Sequence, residues 1–198
     1  MNVSKIRPLV RTTAAALVLS LSLLGSTAAR RADRALPNIR IDNFGKVSDQ
    51  LYRGAQPESR DYADLAALGV KTVIDLRDDG EDEEPGLVKR AGMQFVRIPM
   101  SGWERPADAA VVQFLNVVND AANLPVYVHC KVGKHRTGAM VAVYRMSRDS
   151  WTASQAYKEM QKYHFDVLLT PHTALKSFVF DYYTQLQKAA AAAKPIAR

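Results

Sequence analysis

The run His129-Cys130-Lys131-Val132-Gly133-Lys134-His135-Arg136-Thr137-Gly138 concentrates the residues best suited to chemistry in this chain. Cys130 is the single cysteine, so an internal disulfide and a Cys-rich zinc site are both excluded. PVYVHC (Pro125–Cys130) reads as a short buried strand, and residues 136–148 read as a helix. A loop between a strand end and a helix start collects unpaired backbone N–H groups and the positive end of the helix dipole. That combination makes a cradle for an anion such as phosphate. Gly133 lets the loop curl, and Arg136, six positions after Cys130, folds back to grip two phosphate oxygens. The amides of Lys131, Val132, Gly133, Lys134, His135 and Arg136 are the expected phosphate-binding groups. Arg136, Lys131, Lys134 and the helix amides favour the ionised sulfur, which is the nucleophilic form. Thr137 is placed to donate its hydroxyl to that sulfur as it leaves. His129 is read as a support for the loop rather than an acid or base. The chemistry implied is covalent phosphoryl transfer to Cys130 at the mouth of the cradle, with no metal and no cofactor.

The elements that position this run can be traced along the chain. Gly45–Pro57 reads as two extended segments around a turn at Ser48-Asp49. Tyr62, Leu65 and Leu68 have helical spacing, and Gly69 stops that helix. KTVIDL (Lys71–Leu76) and MQFVRIP (Met93–Pro99) are strands. Asp78–Glu84 carries six acids around Gly80 and reads as a solvated loop rather than a metal site. Pro85 opens a helix to about Ala91. Residues 107–123, 154–163 and 173–193 are further helices. Strands alternating with helices predict an α/β domain with a largely parallel central sheet flanked by helices, the phosphate loop lying between a strand and a helix.

His-Cys-x5-Arg-Thr-Gly resembles the signature of cysteine-dependent protein tyrosine and dual-specificity phosphatases. NFGKVSDQLYRGAQP, ALGVKTVIDLRDD, GMQFVRIPMSG and HCKVGKHRTG, over about residues 43–165, are similar to successive blocks of the small atypical dual-specificity phosphatases of plants, fungi and bacteria. The resemblance implies Cys130 as nucleophile, Arg136 as phosphate clamp and phosphotyrosine on proteins, with phosphoserine or phosphothreonine beside it, as default substrate. The Gly-Lys-His-Arg-Thr-Gly run resembles members that hydrolyse inositol pyrophosphates, and Lys131 and Lys134 fall where a phosphoinositide 3-phosphatase carries lysines. An inositol polyphosphate or pyrophosphate substrate, held by Lys131, Lys134 and His135, is therefore the alternative. A rhodanese-like sulfurtransferase also places a cysteine after a strand, but the Arg-Thr-Gly continuation argues against it. A binding protein that captures phosphorylated ligands without turnover is the alternative of another class.

The family pattern also implies a proton donor on the loop before the helix that precedes the signature strand. That stretch, Met100–Asp108, offers Glu104 and Asp108; no dedicated acid, Asp75 or Asp79 are the remaining options. The choice matters because a phenol leaving group, with a pKa of ~10, needs a proton, whereas a phosphate leaving group, at ~6, needs little help. Trp103 is either a pocket wall or a loop anchor. Arg77 either contacts substrate or locks the acidic loop, the second being the role expected, and Arg53 either lies near the site or props the phosphate loop. His164 and His172 carry no expected metal role.

Composition sets the outer bounds. The 198 residues are 47% hydrophobic and 24% charged, which excludes a largely disordered, collagen-like or coiled-coil chain. Residues 1–28 join three basic residues, an apolar run (Ala14–Gly25) and a small-residue end, the pattern of a secretory signal peptide. Arg30, Arg31 and Arg34 oppose translocation, so an uncleaved membrane anchor is the alternative. An exported, periplasmic or secreted protein follows, with a linker over 29–42, a catalytic domain over 43–185 and an Ala-rich tail over 186–198. The net charge of +7 falls to +4 without the leader, too mild for a nucleic-acid footprint. The expected partner is a phosphorylated protein or a small polyanionic phosphate.

Overall fold

The computed structural model describes residues 39–165 and 172–193. The leader expected over 1–28 and the linker as far as residue 38 lie outside them, as do 166–171 and 194–198. Among the described residues, five strands form one sheet: β1 (Gly45–Ser48), β2 (Leu51–Gly54), β3 (Thr72–Arg77), β4 (Gln94–Met100) and β5 (Val126–His129), in the order β1-β2-β5-β3-β4. β1 pairs antiparallel with β2, and the other pairings are parallel. The largely parallel α/β domain expected from the alternation is thus present. Among the described residues, six helices accompany the sheet: α1 (Asp61–Ala67), α2 (Glu84–Arg90), α3 (Asp108–Asn119), α4 (His135–Arg148), α5 (Ala153–Lys162) and α6 (Thr173–Ala192).

Strand periodicity divides the core between the two sheet faces. Val126, Val128, Ile74 and Leu76 face an apolar cluster with Phe114 of α3, Met140 of α4, Met160 of α5 and Phe178 of α6. Tyr127, Val73 and Tyr52 face a second cluster with Tyr62 and Leu65 of α1 and Val88 of α2. All four residues of β5 are buried, as the apolar run Val126–Val128 requires of a central parallel strand. No helix among the described residues is long and apolar enough to cross a membrane.

Most element bounds agree with the sequence reading to within two residues. The helix expected over 107–123 is shorter: α3 ends at Asn119, and a 3-10 turn covers Ala121–Asn123. The cause is Asp120, whose extended backbone breaks the helix while its carboxylate accepts from the Ala122 amide and caps a new turn.

The register fixes where chemistry can occur. His129 is level with Gly54 of β2 and Asp75 of β3, and Arg77 is level with Met100 of β4. The segments that leave β2, β3, β4 and β5 therefore emerge together at the carboxyl edge of the parallel strands, the usual place for a ligand in such sheets.

Candidate active site

Residues 130–134 form the loop from β5 into α4, and its conformation is imposed from outside. The Lys131 carbonyl accepts from the Gln56 amide at 3.3 Å, the Val132 carbonyl from Asn43 Nδ2 at 2.8 Å and the Gly133 carbonyl from Arg53 Nη2 at 2.5 Å. Across a trans peptide the N–H points opposite to the C=O. Three carbonyls drawn toward the scaffold thus turn the amides of Val132, Gly133 and Lys134 the other way. Gly133 is required twice: its φ is +67°, and a Cβ there would lie 2.5 Å from the Gly54 carbonyl carbon. The amides of α4 continue the row, because its N-terminus has no side-chain cap and no acid in its first turn. Of the six amides expected to bind phosphate, those of Val132, Gly133 and Lys134 thus lie on the side of the loop away from the scaffold.

Arg53 is the post behind the loop. It is fully buried, with its guanidinium 3.8 Å from the centre of the Tyr163 ring. Burial pushes its pKa down to about 10, so it remains cationic at neutral pH. Of the two roles considered from sequence, the supporting hydrogen bond to the loop is the one observed. Asn43, with a φ of +52°, was not singled out in the sequence. Its spacing to Val132 is 89 residues, and no local pattern reveals that contact.

Cys130, expected at the mouth of the cradle, is the first residue of the loop and is buried. It is 2% exposed and belongs to the same apolar cluster as Val126 and Val128, because alternate residues of the central strand face that side. Thr137 is fully buried and its Oγ1 has no hydrogen-bond partner among the described residues. His129 is also fully buried. Its Nε2 lies 2.9 Å from Glu84 Oε1 and its Nδ1 4.0 Å from Asp75 Oδ1, so it ties β5 to α2 and β3 rather than bonding to the loop. Asp75, Glu84 and His129 each offer an atom within 4.8 Å of the others, and the His129–Glu84 pair explains their grouping without an ion.

The acidic run is the solvated loop expected from its charges at Asp78, Asp79, Glu81, Asp82 and Glu83, all exposed; Glu84 is the exception. Arg77, buried, bonds to Gln56 Oε1, to Asp79 through side chain and carbonyl, and to Glu81, which locks this loop as expected. Asp78 and Asp79 receive Arg136 Nη1 at 2.8 and 3.4 Å, and the Met100 carbonyl receives it at 3.1 Å. Glu84 is completely buried and accepts from Tyr62 Oη. Burial raises its pKa, but the hydrogen bond and charge of His129, with Tyr62 and Gln56, outweigh burial and hold the carboxyl below its ordinary value. Burial pushes Asp75 the other way, upward.

Asp78, Asp79, Ser101, Gly102, Trp103 and Arg136 line a hollow of about 370 Å³ beside the loop. Glu104 and Asp108 do not line it; both are exposed, and Asp108 is the first residue of α3. Trp103 lines the hollow and is also anchored, its ring 4.5 Å from that of His172. His172 is buried, bonds through Nδ1 to the Gly102 carbonyl at 2.8 Å, and has its ring centre 3.4 Å from that of His135. It clasps the Trp103 loop to the start of α4, a structural part that its isolated position in the sequence did not reveal. Lys131 is exposed, whereas Lys134 is half-buried at the foot of α4. His164 is exposed.

A family model described as a DSP-PTPase phosphatase fused to NAD+ kinase matches residues 40–175. This chain belongs to the DSP-PTPase phosphatases. As a member it is a hydrolase of the cysteine-dependent tyrosine and dual-specificity class, as its signature suggested. It is 30% identical over 128 residues to the putative tyrosine-protein phosphatase OCA1 of Mycosarcoma maydis, a match covering 61% of this chain and 79% of that protein. It is 31% identical over 127 residues to the inositol diphosphatase DSP5 of Arabidopsis thaliana, covering 61% of each. The crystal structure of a cysteine-to-serine variant of TpbA from Pseudomonas aeruginosa in complex with phosphotyrosine superposes with a TM-score of 0.64 at 27% identity, over 85% of this chain and all of that one.

Two outcomes follow from this geometry. Gly133→Ala forces the loop off Gly54, and hydrolysis of p-nitrophenyl phosphate is expected to fall roughly 100-fold, as a displacement of about 1 Å in a site can cost, with circular dichroism unchanged. Glu84→Gln removes one partner of a buried pair and is expected to cost about 3 kcal/mol at neutral pH in urea unfolding. Glu84 has a lower pKa folded than its ordinary 4.5, so its stabilisation is complete above pH 4.5 and disappears as pH falls through the folded value. The gap between wild type and variant therefore closes in acid; a gap constant with pH contradicts the assignment.

Proposed function

We propose that this phosphatase hydrolyses phosphate monoesters through a cysteinyl-phosphate, with phosphotyrosine in proteins as its substrate. The observation that carries the reading is the set of carbonyls at Lys131, Val132 and Gly133 held toward the scaffold, which turns the following amides the other way in the loop that Cys130 opens. Those amides and the Arg136 guanidinium hold the three phosphoryl oxygens as charge develops. The Cys130 sulfur attacks phosphorus, an S–P bond forms, and the P–O bond to the leaving group breaks. The departing phenolate takes a proton from a carboxylic acid. Glu104 is supported in that role by following Trp103 in the chain, a residue of the hollow that Glu104 itself does not line, whereas Asp108 is taken up at the positive end of α3. Water then attacks the phosphocysteine, releasing inorganic phosphate and the thiolate. The unpartnered Thr137 hydroxyl is available to hydrogen-bond the leaving sulfur.

The exposed Trp103 face suits an aromatic leaving group, and the neighbouring Asp78 and Asp79 oppose a polyanion. The second reading, an inositol polyphosphate or pyrophosphate phosphatase, rests on Lys131 and Lys134 in the loop and on the name of the plant relative. Export from the cytosol belongs to the same proposal and rests on the pattern of residues 1–28.

Hydrolysis of p-nitrophenyl phosphate by wild type is expected to survive a chelator and to vanish in Cys130→Ser. Equal rates in the two proteins would remove Cys130 from the mechanism. A higher kcat/KM for inositol pyrophosphate than for a phosphotyrosine peptide would select the second reading.

A further inference from the structure

We propose that Asp78 is a specificity-determining residue that gives up Arg136 to the substrate phosphate and takes a basic side chain of the substrate in return. The site would then prefer phosphotyrosine flanked by lysine or arginine. This inference rests on the phosphotyrosine reading above and deepens it.

The two aspartates beside Arg136 are not equivalent. Asp79 is shared: Arg77 Nε reaches its Oδ1 at 3.3 Å, and Arg77 Nη2 reaches its carbonyl at 2.7 Å. The Arg77 hydrogen bond also lowers the Asp79 pKa. Asp78 Oδ1 accepts only from Arg136 Nη1, at 2.8 Å, and from the neighbouring Asp79 amide, at 3.2 Å, among the described residues. Arg136 is thus the cation on which Asp78 depends. The side chain of Asp78 is 53% exposed, so it faces the space a substrate must enter.

A phosphate dianion offers Arg136 two oxygens at once and displaces a single carboxylate oxygen from it. Asp79 keeps Arg77 after that exchange, whereas Asp78 is left without a cation. A lysine or arginine next to the phosphotyrosine restores the pair, so two ion pairs are exchanged with no loss of charge neutrality. A glutamate there, or a second phosphate, instead faces a freed carboxylate with Glu81, Asp82 and Glu83 exposed along the same run. Like charges brought together in this way act against the wrong partner as much as the pair acts for the right one. Trp103, 62% exposed on the same hollow, leaves an aromatic face for the tyrosine ring.

The test uses two phosphotyrosine peptides that differ only in a lysine or a glutamate beside the phosphotyrosine, with p-nitrophenyl phosphate as control. Wild type is expected to favour the lysine peptide in kcat/KM by roughly fivefold at low ionic strength, the scale of an exposed ion pair and the matching repulsion, and by less at high salt. Asp78→Asn should bring the two peptides within about twofold, and Asp78→Lys should reverse their order. The ratio is read within each protein, so a change in overall rate cancels. Equal rates for the two peptides in wild type, or a lysine preference that persists in both variants, would overturn the proposal while leaving the phosphatase reading intact. Absence of p-nitrophenyl phosphate hydrolysis in wild type would overturn that reading as well.

Discussion

A five-residue loop holds its amides on one side because three donors hold its carbonyls on the other. Gln56 follows β2, Arg53 lies within β2, and Asn43 precedes β1, so the phosphate loop is shaped by the antiparallel corner of the sheet. A loop left to itself has no reason to turn successive N–H groups to one point. Arg53 is the fully buried one of the three, and a guanidinium in the interior is stable only where its bonds and ring contact offset its desolvation. Tyr163, from the end of α5, supplies that ring contact.

A second layer of charge lies beneath the loop. His129, the residue before Cys130, is set between Glu84 and Asp75, all three fully buried. This joins the central strand to α2 and to β3 at the level where the loops emerge. Gln56 connects the two layers: its amide holds Lys131, its Oε1 holds Arg77, and Arg77 holds the acidic loop that meets Arg136. The position of Arg136 is therefore coupled, through Gln56, Arg77 and Asp79, to the loop that carries the cysteine.

The parts of this site legible from sequence are those whose cause is local. Cys130, Gly133, Arg136 and Thr137 lie within eight residues, and the strand before them and the helix after them follow from periodicity. Asn43, Glu84 and His172 were missed or misjudged because their partners are 89, 45 and 70 residues away. Glu84 in particular looked like the last acid of a solvated run. Its burial depends on α2 packing its first turn against His129 and Tyr62, which no neighbouring residue announces. Arg136 was expected to fold back onto two phosphate oxygens. Its contact with Asp78 joins two loops 58 residues apart, and only the parallel register of β3 and β5 brings those loops together.

The most direct test of the account is a crystal structure of the protein with orthovanadate. The account predicts vanadium bonded to the Cys130 sulfur, its oxygens on the amides of residues 131–136, and the Arg136 guanidinium moved from Asp78 onto two of those oxygens. Vanadate bound elsewhere, or a loop whose amides point away from the sulfur while Arg136 stays on Asp78, would contradict it.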